Sequence, residues 1–405
     1  MAAGEPGPST SGGRAAAWIN NPTVRGAFFQ IAFVVALVWL AWSIGENTAR
    51  NLQKANIAAG YGFLDRTAGF GIVQKLVAYT EASSYGRALV VGLLNTLLVA
   101  GLGILFATLI GFVVGVARLS SNWLVARIAM AYVELIRNIP LLLQLFFWYF
   151  AVLRAVPGMR EKWTFFSVVH INIGGLHVPR PVFSEGAGIV GLALLAGLLA
   201  AFLVARWGRK RQEATGEAPP AGWIGFALIV GLPIIAFFAL GRPISFDVPV
   251  FNDQGPILRR GFQAGSGLTV IPEFFGLLLA LSLYTAAYIA EIVRAGINAV
   301  GHGQSEAAHS LGLRSGQTLR LVVIPQAMRV IIPPLTNQYL NLTKNSSLAV
   351  AVAYPDLVSV GGTVLNQTGQ AVEMVSIWMV FYLGLSLLTS FVMNTWNRRV
   401  ALVER

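Results

Sequence analysis

The sequence contains no cysteine, and only 11% of its 405 residues are charged. The absence of cysteine excludes disulfides, thiolate metal sites and cysteine nucleophiles. The four histidines, His170, His177, His302 and His309, show no metal-ligand spacing, and the zinc-protease pattern HExxH is absent. Soluble domains carry about 25% charged residues, so most of the surface of this protein must face lipid.

Signals for nucleotide and nucleic-acid binding are missing as well. The chain has no GxxxxGK[ST] phosphate loop, so it cannot hydrolyse ATP by that route itself. Its formal net charge of +12 comes without a basic run interleaved with aromatic residues, which argues against nucleic acid. Membrane proteins with several spans collect lysine and arginine in their cytoplasmic loops, and that habit explains the charge. A membrane enzyme is disfavoured because the sequence shows no nucleophile–base or metal constellation.

What the sequence has is apolar length, since 56% of its residues are hydrophobic and its mean hydropathy is +0.67. A helix crosses the hydrocarbon core with about 20 mostly apolar residues. Seven segments meet this criterion: 27–44, 88–116, 130–152, 188–205, 223–240, 273–293 and 372–393. The sequence therefore predicts an all-α fold, a polytopic membrane helical bundle.

Basic residues beside the spans predict an orientation and an eighth crossing. The densest basic cluster, Arg206, Arg209, Lys210 and Arg211, lies tight against a span and marks the cytoplasm. Alternating from there puts the N-terminus inside, and Arg398 and Arg399 are also inside only if 332–352 crosses. About eight transmembrane helices and two cytoplasmic termini follow. Residues 1–26 are predicted to be a disordered cytoplasmic tail and not a cleavable signal, because the first apolar run begins only near Ala27.

Two segments look like additions to a core of five spans. One is 27–87, which holds the first span and its loop, and the other is 154–270, two spans bracketed by Pro/Gly-rich loops. Removing both leaves the spans 88–116, 130–152, 273–293, 332–352 and 372–393, within a predicted core domain that covers 88–396. No internal sequence repeat supports an inverted-repeat secondary transporter.

Polar residues inside the spans predict a hydrophilic passage, since an ionisable group in the bilayer faces the protein interior or a water-filled path. One set is Asn337, Asn341, Lys344, Asn345, Ser346 and Ser347, and a second is Tyr284, Thr285, Tyr288 and Glu291. Each set contains three residues spaced i, i+4, i+7, which share one helical face. At 344–347 the helix is expected to open and expose backbone groups. Asn95 and Thr96 add a polar patch to 88–116.

Other readings of these residues stay open. Interhelical hydrogen bonds, worth about 0.6 kcal/mol each, would explain the uncharged members equally well. Lys344 with Glu291 favours a path or gate, because helix packing does not need charges, although a structural pairing of the two is also open. Two further pairs, Glu134 with Arg137 and Glu291 with Arg294, are predicted to close locally on one helix face. Pro140 should kink its helix, and Gln144, one turn on, becomes a candidate for the passage.

The segment 303–312 is a polar, Ala-rich stretch in an otherwise apolar chain, with Pro325 thirteen residues beyond it. We expect a short helix over 304–311, with Glu306 in its first turn, where a carboxylate is favourable against the helix dipole. Gly312 suits the position after the helix, where a left-handed backbone ends it. Composition and spacing alone would make this an ordinary intracellular loop helix.

The motif Glu306-Ala307-Ala308, Gly312 and Val322-x-Ile324-Pro325 resembles the EAA loop of permease subunits of ATP-binding-cassette importers. This chain has Val322 and Ile324 where the family form has Ile and Leu. The segments 133–150, 284–297, 303–313 and 325–348 resemble the polar-amino-acid importer permeases. The additional first span, the two-span insertion and the length resemble the long permease of general L-amino-acid systems, of the glutamate, glutamine, aspartate and asparagine type.

The resemblance implies a type I (MetI-like) permease fold and a division of labour among several proteins. The residues that would couple to a separate ATPase dimer are Gly303, Gln304, Glu306, Ala307, Ala308, Leu311, Gly312 and Pro325. ATP and Mg²⁺ would be bound by that ATPase and no cofactor by this chain. A periplasmic binding protein would deliver a polar L-amino acid, and a second, similar permease would complete the path in the bacterial cytoplasmic membrane. An ion-coupled secondary transporter using Lys344 and Glu291 is the alternative.

Overall fold

The computed structural model describes residues 22–54, 60–152, 155–217, 219–254, 256, 260–263 and 265–400. Most of the predicted tail, 1–21, lies outside these residues. Seven described helices are long and apolar enough to cross a membrane, or eight if one bent pair counts as a single span. The prediction of a helical membrane bundle with about eight spans is confirmed.

The long helices follow the apolar runs of the sequence, with ends several residues beyond most of them. They are α1 (Pro22–Lys54), α2 (Tyr85–Ala117), α3 (Trp123–Arg137), α4 (Leu141–Phe146), α5 (Ala187–Thr215), α6 (Ala221–Ala239) and α7 (Pro272–Asn298). After these come α8 (His302–Ser310), α9 (Ser315–Thr318), α10 (Ile324–Asn345), α11 (Leu357–Thr368) and α12 (Ala371–Val400). Short turns complete the set: 3-10 turns at Tyr61–Asp65 and Ser346–Val352, and π turns at Phe147–Val152 and Leu319–Val323.

The predicted span 130–152 is broken by a sharp bend. Helix α3 and the segment that begins with α4 meet at an angle of 107°. Pro140 stands at the break, where it supplies no backbone donor. The Gln144 side chain donates to the carbonyls of Ile136 and Ile139 at 2.8 and 2.9 Å, which satisfies acceptors that the break leaves free. The predicted kink at Pro140 is therefore confirmed, and it is sharp enough to divide the span 130–152 into two helices.

The eighth crossing is present as α10 with its flanking turns. The continuous helical stretch Ser315–Val352 passes the length and hydropathy criteria for a span, although Pro333 and Pro334 lie inside it. As expected from the sequence near 344–347, the α-helix ends at Asn345 and gives way to a 3-10 turn at Ser346.

The core lies where α2, α7 and α10 pack together. Gly111 of α2 lies so close to α7 that a Cβ added there would stand 2.6 Å from Ile289 Cβ. One turn on, Gly115 has the same relation to Val293, at 2.7 Å. The two glycines therefore let the two helix backbones approach closely, as small residues do at membrane helix interfaces.

The insertion carries strands as well as helices. Its strands are β1 (Trp163–Phe165), β2 (Val169–Asn172), β3 (Gly175–Val178), β4 (Arg180–Phe183), β5 (Ile244–Asp247), β6 (Phe251–Asn252), β7 (Gly261–Phe262) and β8 (Leu268–Val270). They form a sheet of order β1-β2-β3-β8 and the pairs β4-β5 and β6-β7, all antiparallel. These stretches were predicted to be loops, because strands of two to four residues are too short for a periodic pattern.

The strands also fix which helix ends share a side of the membrane. Strand β4 runs into α5, β5 follows α6, and β8 runs into α7. The turn between α5 and α6 and the C-terminal end of α7 therefore lie across the membrane from the sheets. Helix α8 follows α7, so it lies on that same face, which we call the α8 side; the opposite face is the sheet side.

Candidate functional site: an exposed helix and a polar helical face

Helix α8 ends as the sequence predicts. Gly312 has a φ of +80°, and its N–H donates to the carbonyl of His309 at 2.9 Å. The N–H of Leu313 donates to the carbonyl of Ala308 at 3.1 Å. These two bonds form a Schellman motif, which satisfies two of the free carbonyls at the helix end.

The beginning of α8 differs from the prediction. The helix starts at His302, two residues before the expected 304, with Gly301 as its N-cap. Glu306 is consequently the fifth residue of the helix, and the first turn contains no acidic residue. The expected stabilisation of Glu306 by the helix dipole is wrong, because the effect falls off within the first turn.

One side of α8 packs on its own chain and the other is exposed. Ala308 is only 4% exposed, and Gln304 accepts a hydrogen bond from Gln326 of α10 at 3.1 Å. Glu306, Ala307 and Leu311 point outward, with Leu311 83% exposed. Of the two alanines of the motif, only Ala307 belongs to the outer surface. Gly303 and Gly312 are exposed as well, as is Pro325 near the start of α10.

Helix α10 presents an exposed polar face on one side of the bundle. Asn337, Asn341 and Lys344 are all exposed, so the spacing i, i+4, i+7 does place them on one face. The opposite face is apolar and buried, with Leu335 and Leu342 at 1% and 0% exposed. An exposed amide and ammonium face on a spanning helix is unfavourable against lipid, where a central lysine costs about 2.5–3.5 kcal/mol.

The second predicted set of polar residues, on α7, is largely half-buried, and two of its side chains hydrogen-bond to each other. The Tyr284 and Tyr288 hydroxyls lie 3.1 Å apart, and the Arg137 guanidinium stands 5.1 Å from the Tyr288 ring centre. Arg137 thus contacts Tyr288, and among the described residues it makes no ion pair with Glu134. The predicted Glu134–Arg137 pair is wrong, because a ring from α7 lies within reach of the guanidinium.

Glu291 has its partners on the α8 side of the bundle. It forms ion pairs with Arg118, at the end of α2, and with Arg294, whose Nε donates at 3.1 Å. The predicted pair with Arg294 is confirmed, but Lys344 does not join it. Lys344 lies at the other end of α10 with its side chain exposed. A charge couple of Lys344 with Glu291 is therefore wrong, since two arginines already neutralise the carboxylate.

Several predicted path residues occupy packed positions instead of a surface. Asn95 is 0% exposed and donates to the carbonyls of Gln74 and Pro355, both at 2.9 Å. Thr96, also 0% exposed, accepts from the N–H of Leu357 at 3.0 Å and so holds the start of α11. The other buried members are Gln144, Thr285 and Ser346, at 4%, 3% and 1% exposed. Asn345 and Ser347 are half-buried.

One buried carboxyl, that of Asp356, was not predicted from the sequence. Asp356 is 1% exposed, caps α11 by accepting the N–H of Ser359 at 2.8 Å, and leaves its Oδ2 without a hydrogen-bond partner. Burial raises the pKa of Asp356 to about 7. Aspartate is a favoured N-cap residue, so the sequence could have predicted that Asp356 begins a helix, but not that its carboxyl is buried.

The long apolar helices, the polar face of α10 and the exposed helix α8 between two spans define a membrane transport permease. A family model for the inner membrane component of binding-protein-dependent transport systems matches residues 193–402, about half of the chain. The chain belongs to this family. It is a permease of the amino-acid-transporter branch of the ATP-binding-cassette importers, in the long form.

Relatives match this chain over nearly its whole length. The general L-amino acid transport system permease protein AapQ of Rhizobium johnstonii is 52% identical, over 95% of this chain and 94% of its own. The glutamate/glutamine/aspartate/asparagine transport system permease protein BztB of Rhodobacter capsulatus is 41% identical, over 98% and 99%. A solved amino acid ABC transporter aligns with 78% of this chain and 95% of its own, with 21% identity and a TM-score of 0.46. The relatives are transport permeases and not enzymes.

Proposed function

We propose that this chain forms one half of the translocation path of an ATP-driven importer for polar L-amino acids. The exposed polar face of α10, with Asn337, Asn341 and Lys344, is the observation that carries the proposal. A second, similar permease covers this face, and the path runs between the two subunits. Because lipid disfavours such a face, a water-filled path beside a protein partner is the arrangement that suits it.

The names of the relatives support the substrate class. AapQ belongs to a general L-amino acid system and BztB to a glutamate, glutamine, aspartate and asparagine system. The α-carboxylate common to these amino acids is complementary to the Lys344 ammonium, and their side chains to the two asparagine amides. Lys344 supplies a cation on this face of α10.

Helix α8 is the contact for a separate ATPase, which binds the ATP and Mg²⁺ while this chain binds no cofactor. The exposed Glu306, Ala307 and Leu311 form the outer surface of α8, and Gln304 ties the helix to α10 through Gln326. Movement of α8 is thereby passed to the helix that carries the polar face. ATP binding to the ATPase dimer shifts the bundle from inward- to outward-open by its differential affinity for the two states.

The α8 side is the cytoplasm in this proposal, and both termini lie there. The sheet side faces the periplasm, where a binding protein delivers the amino acid. The basic residues Arg206, Arg209, Lys210 and Arg211 on the α8 side support this orientation through the bias of lysine and arginine toward the cytoplasm.

Uptake in proteoliposomes tests the proposal. The complete complex, with its ATPase and binding protein, should take up labelled glutamate or glutamine only when ATP is supplied. Glu306→Arg should abolish uptake while the complex still inserts, and Glu134→Gln, a charge change on a different helix, serves as the control. ATP-independent uptake driven by an ion gradient through this chain alone would contradict the proposal and support a secondary transporter.

A further inference from the structure

Helices α5 and α6 form a hairpin that stands apart from the core. Gly197 of α5 lies against the α6 backbone, where an added Cβ would be 2.6 Å from the Leu228 carbonyl oxygen. Gly208 lies against a side chain, since an added Cβ there would be 2.8 Å from the Cβ of Ala221. In the described part of the chain the hairpin makes no extensive contact with α2, α7, α10 or α12, and only 6% of each of its apolar windows is buried.

The two helices of the hairpin differ in length. Helix α5 has 29 residues and α6 has 19. At 1.5 Å per residue α5 spans about 44 Å, against about 30 Å for the hydrocarbon core. The end of α5 therefore projects beyond the hydrocarbon on the α8 side.

Two tryptophans mark the level at which α5 leaves the hydrocarbon. Trp207 of α5 and Trp223 of α6 are 50% and 78% exposed, and the contact of Gly208 with Ala221 brings them to the same height. Tryptophan concentrates at the headgroup level of membranes, where its ring is apolar and its N–H is hydrated. The turn between α5 and α6 thus begins at the headgroups.

A basic cluster lies at this level. It consists of Arg206, Arg209, Lys210 and Arg211, all exposed. No ion pair joins any of the four to a carboxylate within the described residues, and Glu213 and Glu217 come only further along the chain. The Arg211 guanidinium stands 5.5 Å from the Trp207 ring centre, which keeps it at the headgroup level.

We propose that this cluster binds the headgroups of anionic phospholipids. The apolar walls of the hairpin suit acyl chains, and the four cations immediately above them suit phosphate oxygens at the depth where headgroups lie. Clusters of four or more Lys and Arg beside a span are attracted to anionic lipid by general electrostatics. The hairpin is then a lipid-binding appendage of the permease, separate from the polar face of α10 and from the ATPase contact.

Lipid counting by native mass spectrometry tests the inference on the purified full-length chain. We compare added phosphatidylglycerol with added phosphatidylcholine for the wild type and for the variant R206Q/R209Q/K210Q/R211Q. The wild type should prefer phosphatidylglycerol, and the glutamine variant should lose affinity for it by at least about tenfold. The matched control R206K/R209K/R211K keeps the charge and should keep the preference.

Two further results decide the matter if the glutamine variant folds poorly. Binding of phosphatidylglycerol by the wild type should weaken as the salt concentration rises, since exposed charges are screened over about 10 Å at 0.1 M salt. Equal binding of the two lipids by the wild type would overturn the inference. So would an undiminished preference for phosphatidylglycerol in the glutamine variant.

Discussion

Replacing Gly312 by alanine should uncouple transport without destabilising the bundle. The residue holds a φ of +80°, and a Cβ added there would meet no heavy atom within 4 Å. The cost is therefore backbone strain alone, roughly 1–2 kcal/mol for an L-residue in the left-handed region. That energy lowers the population of the closed helix end, the state in which the Schellman motif at the end of α8 is formed, by about 5–30-fold.

Two further substitutions make this a graded series. Gly316, in the neighbouring helix α9, also has open space around it but no left-handed backbone, so Gly316→Ala should be neutral. Asparagine tolerates the left-handed conformation better than alanine, so Gly312→Asn should fall between the wild type and Gly312→Ala.

The assay is ATP-dependent amino-acid uptake by proteoliposomes, with thermal unfolding of the detergent-solubilised chain as the check on stability. Gly312→Ala should reduce uptake several-fold with an unchanged midpoint of unfolding. Full uptake in Gly312→Ala would refute the claim that the closed end of α8 is needed for coupling. A midpoint that falls in this variant alone would place Gly312 in the packing of the bundle instead.

Three other outcomes are expected. Gly111→Val should destabilise the fold by about 1–3 kcal/mol through overpacking against Ile289. Gly101→Ala on the same helix is the control and should not destabilise it, because an added Cβ there meets nothing within 4 Å. Equal unfolding midpoints for the two variants would contradict the close approach of α2 and α7. The pKa of Asp356, raised to about 7, means that the folded state binds the proton more tightly than the unfolded state, so its contribution to stability falls as pH rises from about 4 to about 7. Asp356→Asn should remove that part of the pH dependence, and an unaltered pH profile of the unfolding midpoint would count against a buried carboxyl. Glu291→Gln and Arg118→Gln should each destabilise, and the double variant should lose less than their sum because the two groups form an ion pair; strict additivity would exclude the contact.

Hydropathy and periodicity predicted the features that depend on local sequence. Apolar length located the spans, the spacing of Asn337, Asn341 and Lys344 placed them on one face, and Gly312 ended its helix in a left-handed turn. Each of these follows from one helix and its own residues. The predicted domain boundaries and the roles of the path residues stay predictions.

Most contacts between helices could not be predicted from the sequence. The local pair of Glu291 with Arg294 was predicted, and a pairing with Lys344 was left open, but the second partner of Glu291 is Arg118, 173 residues away along the chain. The bend at Pro140 is sharp, and the Gln144 side chain satisfies the carbonyls that the bend leaves free. No local sequence pattern predicts these hydrogen bonds. Asn95 and Thr96 read as a polar patch in a span, yet they bond the backbone around the start of α11. In each case the choice of partner is set by tertiary packing.

Thiol labelling of the assembled importer tests the central claim, that the polar face of α10 lines a water-filled path. The chain contains no cysteine, so Asn341→Cys introduces the one thiol of this subunit, and the unsubstituted importer gives the background labelling of its partners. Leu387→Cys on α12, where the native side chain is 62% exposed on an apolar span, is the matched lipid-facing control. A charged, water-soluble thiol reagent should modify Asn341→Cys at a rate that changes when ATP is added, and should leave Leu387→Cys unmodified. Failure to modify Asn341→Cys in every nucleotide state would contradict the account.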